Sequence, residues 1–372
     1  MTIDPALLEA TIREMLAAIP AAHSAAPAAP QGDGIFADMD DAVAAAVAAA
    51  AAYRSCTMAD RRRFVAAIRE AMLAPENLDY MASQAVLESG MGDVAHKYLK
   101  NKVAATTTPG VEDLETSAWS GDEGLTTVEY SAYGVIGAVT PTTNPTETVT
   151  NNAIGMLAAG NAVVFSPHPR AKNLSIWQVR TLNRALREVG APENLIVTVA
   201  EPSIENTNKM IAHRGVRMLV ATGGPGIVKA VLRSGKKAIG AGAGNPPVVV
   251  DRTADVAHAA KCIVDGASFD NNLPCTAEKE IIAVDAIADL LKFNMLKNGA
   301  YEVTEDELRR LERLVLNEKG TGPDTNWVGK PASQILTAIG VEPPVGVRLI
   351  VCEAPADHPF GVDELMMPVI GL

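Results

Sequence analysis

Aromatic side chains are scarce: Phe, Trp and Tyr together make 4% of the 372 residues, so Ala, Val, Leu and Ile must build the core. Charge is also sparse, at 20%, slightly below the usual quarter, whereas hydrophobic residues reach 48%. This balance excludes global disorder, which requires a charge-rich chain poor in aliphatics. There is no basic block, and net charge is −12 (32 basic against 44 acidic residues). Nucleic acid and anionic membranes are therefore poor partners. No segment reaches the roughly 18 apolar residues that cross a bilayer. The longest apolar run, Ala42 to Tyr53, is almost all alanine. The first residues carry Asp4 and Glu9 and no basic segment, unlike a secretory signal. The four cysteines, at 56, 262, 275 and 352, form no CxxC, and the six histidines form no HExxH or Cys/His zinc pattern. Free thiols, a reducing cytoplasmic compartment and no metal are the expectation.

The length suggests two domains or one large one. Residues 4–19 read as a short amphipathic helix: Asp4 caps it, Pro5 suits its first position, and Leu8, Ile12, Met15, Leu16 and Ile19 share a face. The following stretch, PAAHSAAPAAPQGDG (20–34), has too little apolar bulk to pack and reads as a linker. A tethered helix this short is marginal alone. Its stripe either docks on its own domain or is offered to a groove of another protein.

Helices are expected over 38–53, 59–73 and 78–102. Beyond Val128, short β-rich runs alternate with helices. Strands are expected at 135–139, 163–165, 195–199, 218–221 and 248–250, and helices at 148–159, 174–189, 204–213 and 227–232. Two further strands follow at 281–284 and 349–352. This alternation predicts an α/β fold with a largely parallel sheet covered on both faces.

Ligands of such sheets sit beyond the C-terminal strand ends. Three loops there are unusual: Thr140-Pro-Thr-Thr-Asn-Pro-Thr-Glu-Thr148, Ser166-Pro-His-Pro-Arg170 and Thr222-Gly-Gly-Pro-Gly226. Glycines permit backbone approach, and a helix N-terminus offers N–H groups to phosphate. GGPG is not the GxGxxG fingerprint, so an ordinary strand–helix turn remains the alternative. Among the cysteines, 56, 262 and 352 read as small buried hydrophobes. Cys275 follows the polar turn Asp270-Asn-Asn272 and lies between Pro274 and Thr276. It reads either as an exposed nucleophile or as a structural thiol. Asn144 reads either as an Asx-turn former or as a donor to an oxyanion.

Taken together, VIGAVTPTTNPTETVTNNAIGMLAAGNAVVFSPHPRAK (135–172), ATGGPG (221–226), GAGAGNPPVVVD (240–251) and SFDNNLPCTAEKEIIAVD (268–285) resemble the aldehyde dehydrogenase superfamily. More narrowly they resemble its CoA-acylating branch, the propionaldehyde and acetaldehyde dehydrogenases of bacterial microcompartments. The resemblance spans the chain.

It implies an aldehyde dehydrogenase-like fold: an encapsulation helix at 1–19, a linker at 20–35, an NAD/CoA-binding domain of Rossmann type at 36–245 and a catalytic domain at 246–372. It implies Cys275 as the catalytic thiolate and Asn144, with the Cys275 N–H, as the oxyanion hole. Thr140, Pro141, Thr142, Ser166, His168, Pro169, Thr222, Gly223, Gly224 and Val228 match positions lining the NAD cleft. Glu364 matches a carboxylate holding the nicotinamide ribose. The co-substrate is coenzyme A, the substrate a short aldehyde and the setting a microcompartment in the cytoplasm. Residues 1–19 would meet a shell protein, and the full-length form would be a homo-oligomer.

Two departures stand out. Hydrolytic members carry a Glu that activates water. The matching position here is Ala241, in Ala241-Gly-Ala-Gly-Asn245. A thioacyl enzyme lacking that base waits for a thiol instead. The chain also ends at Pro368-Val-Ile-Gly-Leu372, inside an expected strand, where relatives continue, so the catalytic domain is expected to be incomplete. A hydrolytic enzyme, an acyl-phosphate-forming semialdehyde oxidoreductase and a truncated non-catalytic cargo protein are the competing readings.

Overall fold

The computed structural model describes residues 32–355 and 357–372. The expected helix at 4–19 and its linker as far as residue 31 lie outside the described residues. The chain forms two compact units. The first comprises residues 32–89 and 98–242, and the second residues 90–97 and 243–372.

The first unit opens with β1 (Ile35–Phe36), followed by α1 (Met39–Tyr53), α2 (Met58–Leu73) and α3 (Pro75–Ser89). The last residues read as linker are in fact anchored. Asp33 pairs with Arg184 at 2.8 Å and with Arg187, which holds its carboxyl below the usual range. Gly34 has φ +85°, and a Cβ there would overlap Asn183 and the Ile196 carbonyl. Asp38 caps α1 through the Asp40 N–H, at 2.8 Å. Thr57 and Asp60 form a reciprocal capping box on α2.

The stretch 78–102, expected as one helix, is two: α3 and then α4 (Val94–Thr107). Gly90 and Gly92, at φ +70° and +86°, interrupt it, and Asp93 caps the new helix through the His96 N–H at 3.0 Å. Apolar spacing does not report such a left-handed break. An antiparallel hairpin of β2 (Ser117–Gly121) and β3 (Gly124–Val128) follows. Every residue in it is exposed, so no buried face marks it in the sequence.

The remainder alternates: β4 (Val135–Thr140), α5 (Pro145–Ala158), β5 (Ala162–Pro167), α6 (Lys172–Glu188), β6 (Ile196–Val199), α7 (Ile204–Ala212), β7 (Met218–Thr222), α8 (Pro225–Leu232) and β8 (Lys237–Ala241). The strands join in the order β1-β6-β5-β4-β7-β8, and every pairing is parallel. β5 and β6 are buried along their whole length, as a parallel sheet between helical layers requires. The edge strand β8 is largely exposed, and its KAIGA sequence carries no strand signal.

The second unit contains β9 (Pro247–Val250), α9 (Val256–Ser268), β10 (Glu280–Ala283), α10 (Asp285–Lys297), β11 (Ala300–Glu302), α11 (Glu305–Val315), α12 (Ala332–Ala338), β12 (Leu349–Cys352) and β13 (Val369–Gly371). Its sheet, also parallel, has the order β11-β12-β13-β10-β9. Among the described residues no helix is long and apolar enough to cross a membrane, and no cluster of side chains could hold a metal ion.

Candidate active site

In the first unit the chain runs outward from β4 through β5 to β6, then returns to the other side of β4 with β7 and β8. The loops after β4 and β7 therefore diverge at a topological switch point, the place where doubly wound sheets bind nucleotides. Thr140 ends β4, and Pro141, Thr142 and Asn144 follow it. Ser166, His168 and Pro169 end or follow β5. Thr222, Gly223, Gly224 and Val228 end or follow β7. These residues thus share the C-terminal edge of three adjacent strands.

The Thr140 and Thr142 hydroxyls are buried and hydrogen-bond to nothing in the described structure. Leaving a buried hydroxyl unmatched costs about 1–3 kcal/mol, a cost that a polar ligand removes. Gly224 begins α8 without any side-chain cap, so the first N–H groups of that helix are available to an anion. The Gly223 N–H donates to the Ala241 carbonyl at 3.1 Å, tying this loop to β8. Val228 rests against Gly240, where a Cβ would be only 2.6 Å from its methyl. Ser166 turns inward, its hydroxyl 2.8 Å from that of Thr207. The His168 Nδ1 accepts the Arg170 N–H at 3.1 Å. Burial, aided by the Arg170 charge, pushes the imidazole down to about 4, so it is neutral at pH 7.

Asn144 heads α5, yet its side chain makes no cap hydrogen bond. The Asx-turn alternative is therefore not what the side chain does. Instead the Lys100 ammonium donates to its Oδ1 at 2.5 Å, and its Nδ2 donates to the Thr143 hydroxyl at 3.2 Å. Lys100 also pairs with Glu147 at 3.3 Å.

In the second unit Cys275 is exposed, in agreement with its polar context. Ahead of it, Asp270, Asn271 and Asn272 stand in succession at φ +49°, +52° and +62°. Asn and Asp tolerate this left-handed region best among side-chain-bearing residues. Side chains lock the turn. The Asp270 carboxylate accepts the Asp93 N–H at 2.8 Å and the fully buried Lys97 ammonium at 3.2 Å. The Asp270 N–H donates to His96 Nδ1 at 3.0 Å. The Asn271 amide donates to the Gly329 carbonyl, and the Asn272 amide to those of Ala267 and Glu278.

Lys279 completes the support. It is 4% exposed and donates to the Asn272 carbonyl at 2.8 Å, to the Asn272 side chain and to the Pro274 carbonyl at 3.0 Å. Burial pushes its ammonium down to about 8, opposed by the charges of Glu364 and Cys275. Glu364 belongs to the same neighbourhood: its carboxylate accepts the Gly244 N–H, and a Cβ on Gly244 would lie 3.4 Å from the Cys275 carbonyl oxygen. Burial raises the Glu364 pKa, and its Oε1 has no hydrogen-bond partner in the described structure. Lys97, Lys100 and Lys279 escape sequence reasoning because a lysine reads as solvated surface unless its acceptors are known.

Of the other thiols, Cys352 is buried as expected, which pushes its thiol up to about 12, whereas Cys262 and Cys56 depart from expectation. Cys262 is exposed because the packed face of α9 carries Ala260, Ile263, Val264 and Ala267 instead; its sulfur lies 3.5 Å from His258 Nε2. Cys56 is half-buried in the turn between α1 and α2, where burial also raises its pKa.

The profile of the aldehyde dehydrogenase family matches residues 15–303. The chain belongs to that family. The acetylating acetaldehyde dehydrogenase EutE of Escherichia coli K12 is 47% identical over 342 residues, covering 91% of this chain and 72% of that enzyme. The crystal structure of Rhodopseudomonas palustris propionaldehyde dehydrogenase, with bound CoA and an acylated cysteine, superposes with a TM-score of 0.89 at 59% identity, covering 92% of this chain and 78% of that one. The propionaldehyde dehydrogenase of the Clostridium phytofermentans fucose-utilisation microcompartment does so at 0.87 and 47%, covering 91% and 77%. Within the aldehyde dehydrogenases, these similarities place the chain on the CoA-acylating branch.

Proposed function

We propose that this protein oxidises a short-chain aldehyde, propionaldehyde or acetaldehyde, to its CoA thioester, with a nicotinamide dinucleotide as hydride acceptor. The observation that carries the reading is Cys275, an exposed thiol on a turn locked by Lys97, Asp270 and Lys279, in a chain akin to acylating enzymes. The Cys275 thiolate adds to the aldehyde carbon, and the resulting oxyanion accepts hydrogen bonds from the Asn144 amide and the Cys275 N–H. The carbonyl re-forms as the C–H bond gives up its hydride, leaving a thioester on Cys275. The thiolate of CoA then adds to that carbonyl, the bond to Cys275 breaks, and the enzyme thiolate is restored.

The residues present fit the dinucleotide. The uncapped start of α8 suits its phosphates, the unmatched Thr140 and Thr142 hydroxyls suit its polar edges, and the lone Glu364 oxygen suits donation from a ribose hydroxyl. When bound, the nicotinamide ring supplies the hydride acceptor. Pro141, Ser166, His168, Pro169, Thr222, Gly223, Gly224 and Val228 shape that site, with His168 as a neutral imidazole. On this reading the cofactor domain is 36–245 and the catalytic domain 246–372. Ala241 leaves the acyl enzyme without a base for water, so CoA is the acceptor. The relatives do not favour the hydrolytic or non-catalytic alternatives.

We place the protein inside a microcompartment, with residues 1–19 on a shell protein and copies of the chain forming a homo-oligomer. The test of the function is NADH formation from NAD⁺ and propionaldehyde with and without CoA. Strict dependence on CoA supports the reading, and equal rates without it reject it.

A further inference from the structure

We infer that Lys100 is a positioning residue for the oxyanion donor Asn144, fixing which end of its amide faces the reacting carbonyl. The inference rests on the reading of Asn144 given above. A side-chain amide has an accepting and a donating end, and its two orientations fill nearly the same space. Only the donating end stabilises an oxyanion. The Lys100 ammonium can donate but not accept, so the side it touches must be the oxygen. It lies 2.5 Å from Asn144 Oδ1, with its side chain 11% exposed. The reverse orientation would press an NH2 group against an NH3⁺ group.

Three features keep the arrangement in place. Lys100 sits on α4, a regular helix, and not on a loop. Its charge is balanced by Glu147 at 3.3 Å, in the first turn of α5. The Asn144 side chain makes no cap hydrogen bond to the start of α5 that would compete with Lys100. A cation on Oδ1 also draws electron density from the amide nitrogen, making its N–H a stronger donor. Orientation and donor strength both act on the step in which the oxyanion forms.

The experiment is a double-mutant cycle on the protein, reading kcat and KM for CoA-dependent NADH formation together with the melting temperature. Asn144→Ala is expected to lower kcat by about 10²–10³-fold, the usual loss for one oxyanion-hole donor. Lys100→Met is expected to lower kcat by about 10–100-fold with little change in KM, as loss of a partner that orients an active group does. Adding Lys100→Met to Asn144→Ala is expected to cost little more, because the lysine acts through the asparagine. Lys100→Gln keeps an N–H donor without the charge and is expected to fall between Lys100→Met and the wild type. It also serves if Lys100→Met does not fold. A wild-type kcat in Lys100→Gln or Lys100→Met, or losses that multiply fully in the double variant, would overturn the inference while leaving the function intact. Full activity of Asn144→Ala would overturn both.

Discussion

Cys275 differs from the other cysteines in what surrounds it, and each surrounding makes a separate prediction. Cys275→Ala is expected to abolish turnover with an unchanged melting temperature, because its side chain is exposed and its turn is held by other residues. Cys352→Ser is expected to keep activity but to lose about 1–3 kcal/mol in urea unfolding, because it places a hydroxyl in a buried apolar site. His168 gives a pH signature. Its folded value, about 4, lies below the ordinary 6.5, so between those values the unfolded chain binds more protons than the folded one. Stability from the neutral imidazole is thus full above pH 6.5 and is lost as pH falls towards 4. The drop in melting temperature between pH 7 and 5 should be smaller in His168→Gln than in the wild type, and equal drops would contradict the assignment. Cys275 was legible because its polar turn lies in adjacent residues. The roles of Lys97 and Lys100 were not, because Asp270 and Asn144, which they meet, stand 173 and 44 residues away.

At the scale of elements, β4, β5, β6, β7, β9, β10 and β12 were legible to within a residue or two, since buried apolar runs such as that within Ala162–Pro167 suit a covered parallel sheet, whereas the short or exposed strands β1, β8 and β11 were not. The errors fell where backbone conformation or exposure decides. The break between α3 and α4 depends on glycines at positive φ, and the β2–β3 hairpin has no buried face. The break has a purpose in the second unit. Gly92 approaches Asp270 so closely that a Cβ would overlap its carboxylate, and Lys97, five residues on, meets the same carboxylate. The start of α4 thereby secures the turn that carries Cys275. Lys97→Met leaves the buried Asp270 without its cation, a change that costs about 3–5 kcal/mol. Guanidinium unfolding should show that loss, together with slower acylation of Cys275. A loss below about 1 kcal/mol would mean that the pair does not hold the turn.

At the scale of the molecule, the choice of acyl acceptor is the property that separates this protein from hydrolytic members of its family. We attribute it to Ala241, because general-base help to water is worth about 10²–10⁴ in rate. Ala241→Glu should raise CoA-independent acid formation, measured as free carboxylate per NADH, and an unchanged ratio in a folded, acylated variant would place the control elsewhere. The family and its chemistry were legible from four separated sequence blocks. The central claim is that Cys275 carries the acyl group and passes it to CoA. Peptide mass spectrometry after mixing enzyme, NAD⁺ and propionaldehyde, followed by a CoA chase, tests this most directly. One propionyl group is expected on the Cys275 peptide, stable in buffer and released as an equal amount of propionyl-CoA. Acylation of another residue, or release as propionate before CoA is added, would contradict it.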